Sequence, residues 1–155
     1  MRGKKASKRT VEPDSMYGNT SVTRFINKVM LHGKKSLAEN FVYSSMKAAS
    51  EKLKKEPLEV LETALNNVKP ALEVRSRRVG GANYQVPMPV PEDRQEALAI
   101  RWITDAARSK KGKEFTELLT TEIVNAYKGE GDAVKMKMDT EKMAQANKAF
   151  AHFRW

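Results

Sequence analysis

Apolar residues along this chain recur mainly three and four positions apart, the period of a helix with one buried face. Val22, Phe25, Ile26, Val29 and Met30 form the first stripe, with Asn19 and Ser21 as candidate caps before it and Gly33 ending it. A second helix is predicted from about Ser36 to Lys54, with Phe41, Val42, Ser45, Ala49 and Leu53 on one face. Pro57 suits the first position of a third, whose Leu58, Leu61, Ala64, Leu65 and Val68 make a stripe that Pro70 stops. Further on, Pro91-Glu92-Asp93 places acids at a helix start, where the helix dipole favours negative charge. Leu98, Trp102 and Ala106 with Ile103 and Ala107 supply the buried face of that fourth helix, and Trp102 is expected in the core. Lys110-Lys111-Gly112-Lys113 interrupts the pattern before a fifth helix carrying Phe115, Leu118, Leu119, Ile123 and Ala126, closed by Gly129 and Gly131. The stretch from Asp132 relies on Val134, Met136, Met138 and Met143, then on alanines, and reads as a helix that frays at its end.

Between the third and fourth helices the period changes to two. Val74, Ser76 and Arg78 alternate with Arg75, Arg77 and Val79; Gly80 and Gly81 open a turn; Tyr84, Val86, Met88 and Val90 alternate again. This is a β-hairpin signal over residues 73–90. Pro87, Pro89 and Pro91 lie two apart, so their missing N–H groups share one side of the second strand, which must be its unpaired side. No third strand can add there. A two-stranded ribbon alone is marginal in water, so a basic one is expected to gain order from what it grips, and its three arginines suit phosphate.

The predicted architecture is mainly α: a bundle of about six helices with one protruding two-stranded hairpin. No internal repeat or long linker divides it. The 155 residues suit one domain, with a basic arm over 1–11, the hairpin over 73–90 and a C-terminal helix and tail over 132–155. Absence of cysteine removes disulfides, thiolate metal sites and cysteine nucleophiles, and fits a reducing compartment. No apolar run reaches the ~20 residues needed to cross a bilayer, and the N-terminus lacks a signal-peptide core, so a soluble intracellular protein is expected.

Charge then narrows the partner. Lysine and arginine number 29 against 19 acids, a net charge of +10, the footprint of a nucleic-acid binder. A membrane-surface protein shares that balance. Before Val11 the chain carries Arg2, Lys4, Lys5, Lys8 and Arg9 with no acid, a basic arm that is either a solvated tail or a binding element. Lys34 and Lys35 stand at the turn between the first two helices. Arg75, Arg77 and Arg78 beside a Gly-Gly tip resemble a probe more than the lysine-rich edges that merely discourage pairing. Tyr84 suits packing with Val86 and Met88 better than base stacking. At the C-terminus, Phe150 is expected to dock the last helix on the body, with Arg154 and Trp155 as candidates for contact with RNA or a partner.

Catalytic and metal-binding constellations are thin, so no reaction, cofactor or metal is assigned. His32 and His152, the only histidines, share no ligand spacing. Gly33-Lys34-Lys35-Ser36 lacks the upstream glycine of a phosphate-binding loop, and Lys35 occupies the position of its Mg²⁺-binding hydroxyl. Glu92/Asp93 and Glu117/Glu122 are read as helix-start and exposed-face carboxylates. A DNA-binding regulator using the ribbon or a recognition helix stays open at this point, and it predicts a dimer and a preference for duplex DNA. An RNA-processing enzyme would need a titratable cluster that no motif announces.

Longer strings carry a resemblance. Val74-Arg75-Ser76-Arg77-Arg78-Val79-Gly80-Gly81, then Tyr84-Gln85-Val86-Pro87, Ala97-Leu98-Ala99-Ile100-Arg101-Trp102 and Ala106-Ala107-Arg108, resemble the bacterial-type small-subunit ribosomal protein seven family. So do the turn His32-Gly33-Lys34-Lys35-Ser36 and the ending from Met143 to Trp155, over almost the whole chain and in order. The resemblance implies a helical protein with a protruding hairpin, not an enzyme. It implies a cytoplasmic protein, or one of the plastid stroma, that binds the 3′ major domain of small-subunit ribosomal RNA early and nucleates the subunit's head. Its expected neighbours are exit-site transfer RNA, the messenger path and other ribosomal proteins. By motif, Lys34, Lys35, Arg75, Arg77, Arg78 and Arg94 become ribosomal-RNA contacts, joined by Lys110, Lys111 and the arm. Arg78, Gly80, Gly81, Asn83, His152, Arg154 and Trp155 would lie nearest transfer RNA, messenger or a partner. The chain departs from the family just after the hairpin: Pro91 and Gln95 stand where arginines are common, and Pro89 replaces a frequent acid.

Overall fold

The computed structural model describes residue 3 and residues 10–153, with the elements in the predicted order. They are α1 (Thr20–Val29), α2 (Lys35–Leu53), α3 (Pro57–Val68), β1 (Leu72–Val79), β2 (Ala82–Pro89), α4 (Glu92–Ser109), α5 (Phe115–Lys128), α6 (Asp132–Ala146) and a terminal 3₁₀ helix (Lys148–Phe153). Asn19 is the cap of α1, its side chain accepting from the Ser21 N–H at 2.8 Å. Pro57 opens α3, where its missing N–H costs nothing, and Pro91 precedes the acidic first turn of α4.

Helix α5 is central and packs on α2, α3, α4 and α6. Helix α1 packs on α2 and α4, and Phe25, Ile26, Met46, Leu61, Ile103, Leu119 and Ile123 are the largest apolar side chains sealed within the helical body. On α2 the buried face is rotated slightly from the predicted one: Ala38 and Met46 are buried, whereas Phe41 and Leu53 only edge the core. Trp102 likewise packs against the core from its margin and keeps part of its surface in water.

Three expectations need correction. Met136, Met138 and Met143 do not build the buried face of α6; they are 40, 59 and 53 % exposed, and Ala133, Val134 and Ala144 take that face because α6 lies along β1 and α4 with only one side turned inward. Glu117 is exposed as expected, but Glu122 is fully buried, since α5 is enclosed on most sides and Lys110 from the end of α4 neutralises the carboxylate. Phe150 docks on the hairpin and not on the helical body: its ring lies 5.3 Å from that of Tyr84.

The hairpin is antiparallel and pairs Val79 with Ala82, Arg77 with Tyr84, Arg75 with Val86 and Glu73 with Met88. Gly80 and Gly81 have φ of 58° and 91°, the positive values both central residues of a type I′ turn require. Hydrogen-bonded pairs alternate from that turn outward, so Pro87 and Pro89, opposite Val74 and Leu72, fall at pairs whose N–H groups face away from β1. Their placement on the unpaired side is as predicted, and the sheet has two strands. Pro91 lies beyond the strand, at the start of α4. The ribbon is less bare than expected, because α6 and the 3₁₀ helix pack along it and Val86 is fully buried.

Candidate nucleic-acid interface

Arg75 and Arg77 share the hairpin face that holds Glu73, Tyr84, Val86 and Met88, while Arg78 lies on the opposite face with Asn83. Near the turn, Arg78, Asn83, Gly80 and Gly81 are all exposed, and among the described residues no ion pair engages Arg77 or Arg78. At the base the charge is organised differently. Glu73 is 7 % exposed and receives Arg75 Nε at 2.7 Å and Arg94 Nε at 3.0 and 2.8 Å on its two oxygens. Burial pushes the Glu73 carboxyl up, but the hydrogen bonds from Arg94 and Arg75 outweigh it and leave the group below its ordinary value. Arg94 comes from α4, so this triad ties the ribbon to the helical body.

The junction is fastened further by hydrogen bonds around the end of β2. Gln95 donates its side-chain N–H to the Val90 carbonyl at 2.8 Å, and Val90 N–H donates to the Ala71 carbonyl at 3.1 Å. These two bonds fasten the strand ends to the start of α4.

Lys34 and Lys35 stand at the α1–α2 turn, where His32 adopts a positive φ of 53°. Lys34 is exposed and without an ion pair among the described residues; Lys35 makes only a 3.7 Å contact with Glu39, one turn away. The chain before α1 is pinned to α2 by Asp14, which accepts from the Tyr17 and Met16 N–H groups at 2.8 and 3.0 Å and from the Tyr43 hydroxyl. Burial raises the Asp14 carboxyl, and those hydrogen bonds more than offset it, so the group stays ionised below the ordinary carboxylate range.

Lys110 is not presented like the others. Its ammonium contacts Glu122 and lies 3.3 Å from Asp132, so the charge is engaged inside the fold; Lys111 beside it is exposed. His152 is exposed, with Nδ1 2.9 Å from the Ala149 carbonyl. Arg2, Lys4, Lys5, Lys8, Arg9, Arg154 and Trp155 lie outside the described residues.

One basic feature escaped the sequence reading. Arg24 and Lys28 on α1 and Arg94 and Arg101 on α4 line an open groove between the two helices, with Asp93, Ala97 and Ile100. The signal was present as spacing: four residues separate the first pair and seven the second, so each pair shares a helix face. Arg24 is held by Glu96 across the groove.

Among the described residues no group of three or more acids or histidines is placed to hold a metal, and no helix is long and apolar enough to cross a membrane. Basic helix faces leading to a basic ribbon define a nucleic-acid-binding class of protein. Comparison with known proteins makes this specific: the family described as ribosomal protein S7p/S5e matches residues 1–148, and the chain belongs to that family. It is 59 % identical over 148 residues to the protein named small ribosomal subunit protein uS7 of Pelotomaculum thermopropionicum, covering 96 % of this chain and 95 % of the other. It is 54 % identical over 155 residues to the protein of that name from Thermotoga neapolitana, covering all of both chains, and 54 % identical to that of Treponema denticola over 99 % of each. The family is structural and not enzymatic.

Proposed function

We propose that this protein is a structural component of the small ribosomal subunit and a primary binder of the 3′ major domain of its ribosomal RNA, nucleating assembly of the subunit's head in the cytoplasm or plastid stroma. Lys34, Lys35, Arg75, Arg77, Arg78, Arg94 and Lys111 supply phosphate contacts, and the arm over 1–11 follows RNA away from the body. The exposed Arg78, Gly80, Gly81 and Asn83 at the hairpin tip, with His152, Arg154 and Trp155 as further candidates, serve contacts with exit-site transfer RNA, messenger or a neighbouring ribosomal protein. The carrying observation is the contrast along one ribbon: its base is locked to the body through Glu73 and Arg94, while Arg77 and Arg78 nearer the turn have no ion-pair partner among the described residues. Unpaired guanidinium groups on a rigid base meet phosphate without first breaking an internal contact.

Neutralising about six phosphates makes binding fall by about a thousandfold or more between 50 and 200 mM salt. Filter binding to a transcript of the 3′ major domain measures this, and a flat salt dependence refutes it. Replacing Arg75, Arg77 and Arg78 together by alanine should lower the logarithmic salt slope by about 2–3 while helical content by circular dichroism stays unchanged. Retention on small subunits through a moderate salt wash tests the assembly itself.

A further inference from the structure

An almost buried carboxylate at the root of an RNA-binding ribbon calls for explanation, because an acid there repels the phosphate its neighbours attract. Glu73 is 7 % exposed, and both of its oxygens are occupied by arginines that arrive from different elements, Arg75 along β1 and Arg94 from α4. The geometry leaves each arginine divided. Arg94 meets Glu73 through Nε, and Arg75 through Nε and Nη2 at 2.7 and 2.6 Å. The remaining Nη donors have no partner among the described residues, and the two side chains stay 48 and 50 % exposed.

We propose that Glu73 is a positioning residue for RNA binding: it holds Arg75 and Arg94 as one rigid donor set across the hairpin–α4 junction, aimed outward at adjacent phosphates. This deepens the reading under Proposed function and rests on it. An arginine free in water surrenders rotamer entropy when it grips phosphate; one already anchored at Nε has surrendered it on folding. The same anchor fixes the angle at which the ribbon leaves the body, so Arg77 and Arg78 are set in register with the base.

The test opposes two signs. Electrostatics alone predicts that Glu73→Gln, which removes a negative charge from the interface, tightens binding to the 3′ major domain transcript by about twofold. Positioning predicts that it weakens binding by about tenfold, the worth of one charge-assisted hydrogen bond, with the salt slope unchanged because no phosphate contact is lost outright. The arginine Nε–H signals of Arg75 and Arg94 in ¹⁵N spectra of the free protein should resist solvent exchange in the parent and be lost in E73Q, while far-UV circular dichroism is unchanged. Arg94→Ala and the E73Q/R94A double variant complete the cycle, in which the Glu73 effect should largely vanish once Arg94 is gone. Binding by E73Q equal to or tighter than the parent, or additive effects in the cycle, overturns the proposal while leaving the RNA-binding reading intact. A parent protein that shows no salt-dependent binding overturns both.

Discussion

Replacing Lys110 by methionine should destabilise the fold by about 2–3 kcal/mol and leave RNA binding nearly unchanged. Glu122 is 0 % exposed, whereas the Lys110 side chain is 32 % exposed and also meets Asp132, itself 55 % exposed. Removing one partner of a fully buried pair costs about 3–5 kcal/mol, because the survivor is left charged in a poor solvent. Water already reaches Lys110 and would enter to solvate Glu122 in part, which lowers the figure; methionine keeps most of the apolar stem packing. At this chain length the loss corresponds to a midpoint about 4–10 °C lower. Glu122→Gln removes the charge and leaves Lys110 with a path to water, so it should cost less than about 1.5 kcal/mol, and the double variant should be more stable than the sum of the two by about 1 kcal/mol or more. Urea unfolding followed by circular dichroism at neutral pH measures each difference. The hydrogen bond to Glu122 raises the Lys110 ammonium above its ordinary 10.5, with burial opposing and Asp132 adding. Its contribution is therefore complete below the unfolded value of 10.5 and disappears as pH climbs through the higher folded one, a loss K110M should not show. Stability within about 0.5 kcal/mol of the parent, or strictly additive effects, would refute the assignment of Lys110 to the buried pair.

At the turn, a Cβ on Gly80 or Gly81 meets nothing within 4 Å, so Gly80→Ala or Gly81→Ala costs only the positive-φ strain, about 1–2 kcal/mol each. Loss of cross-strand nuclear Overhauser contacts near Val79 and Ala82 would register it. Tyr84→Ala removes ring contacts at 5.3 and 5.0 Å to Phe150 and Phe153, worth about 0.5–1.5 kcal/mol apiece, and should raise amide exchange over Lys148–Phe153 about tenfold or more. Unchanged protection there would show that the 3₁₀ helix is held by something else. Asp14 and Glu73 both sit below their ordinary 3.8 and 4.5, so the stability they add is complete above those values and is lost as pH falls through the lower folded ones. Asp14→Asn should flatten the acid limb of a stability-against-pH curve; a limb as steep as the parent's would contradict the Tyr43 and backbone hydrogen bonds as its source.

Helix starts and stops were legible because their causes are local. Asn19, Pro57, Pro70, Pro91 and Gly129 act on backbone groups within a turn of themselves, and the structure uses each where the sequence places it. The hairpin was equally legible, its register following from the two-residue Gly80-Gly81 turn and the alternation on either side. Of the candidate interface, Arg77 and Arg78 near the turn and Lys34 after Gly33 were readable as charge without an ion-pair partner among the described residues. What eluded reading was compensation: Lys110 belongs to the cluster Lys110-Lys111-Gly112-Lys113 in sequence, and only the packing of α4 on α5 shows its charge already taken by Glu122.

The sequence alone therefore determined what short-range physics controls: six amphipathic helices, a glycine-tipped ribbon with prolines on its open side, and a cationic surplus suited to phosphate. Tertiary structure decided which charges are available and which faces are shared. Glu73 and Glu122 differ little from other glutamates along the chain, yet one joins Arg75 of its own strand to Arg94 of α4 and the other is sealed under a lysine, because Arg94 and Lys110 reach them from 21 and 12 positions away. Long-range contact follows from the packing of elements, and periodicity reports only which face each element turns inward.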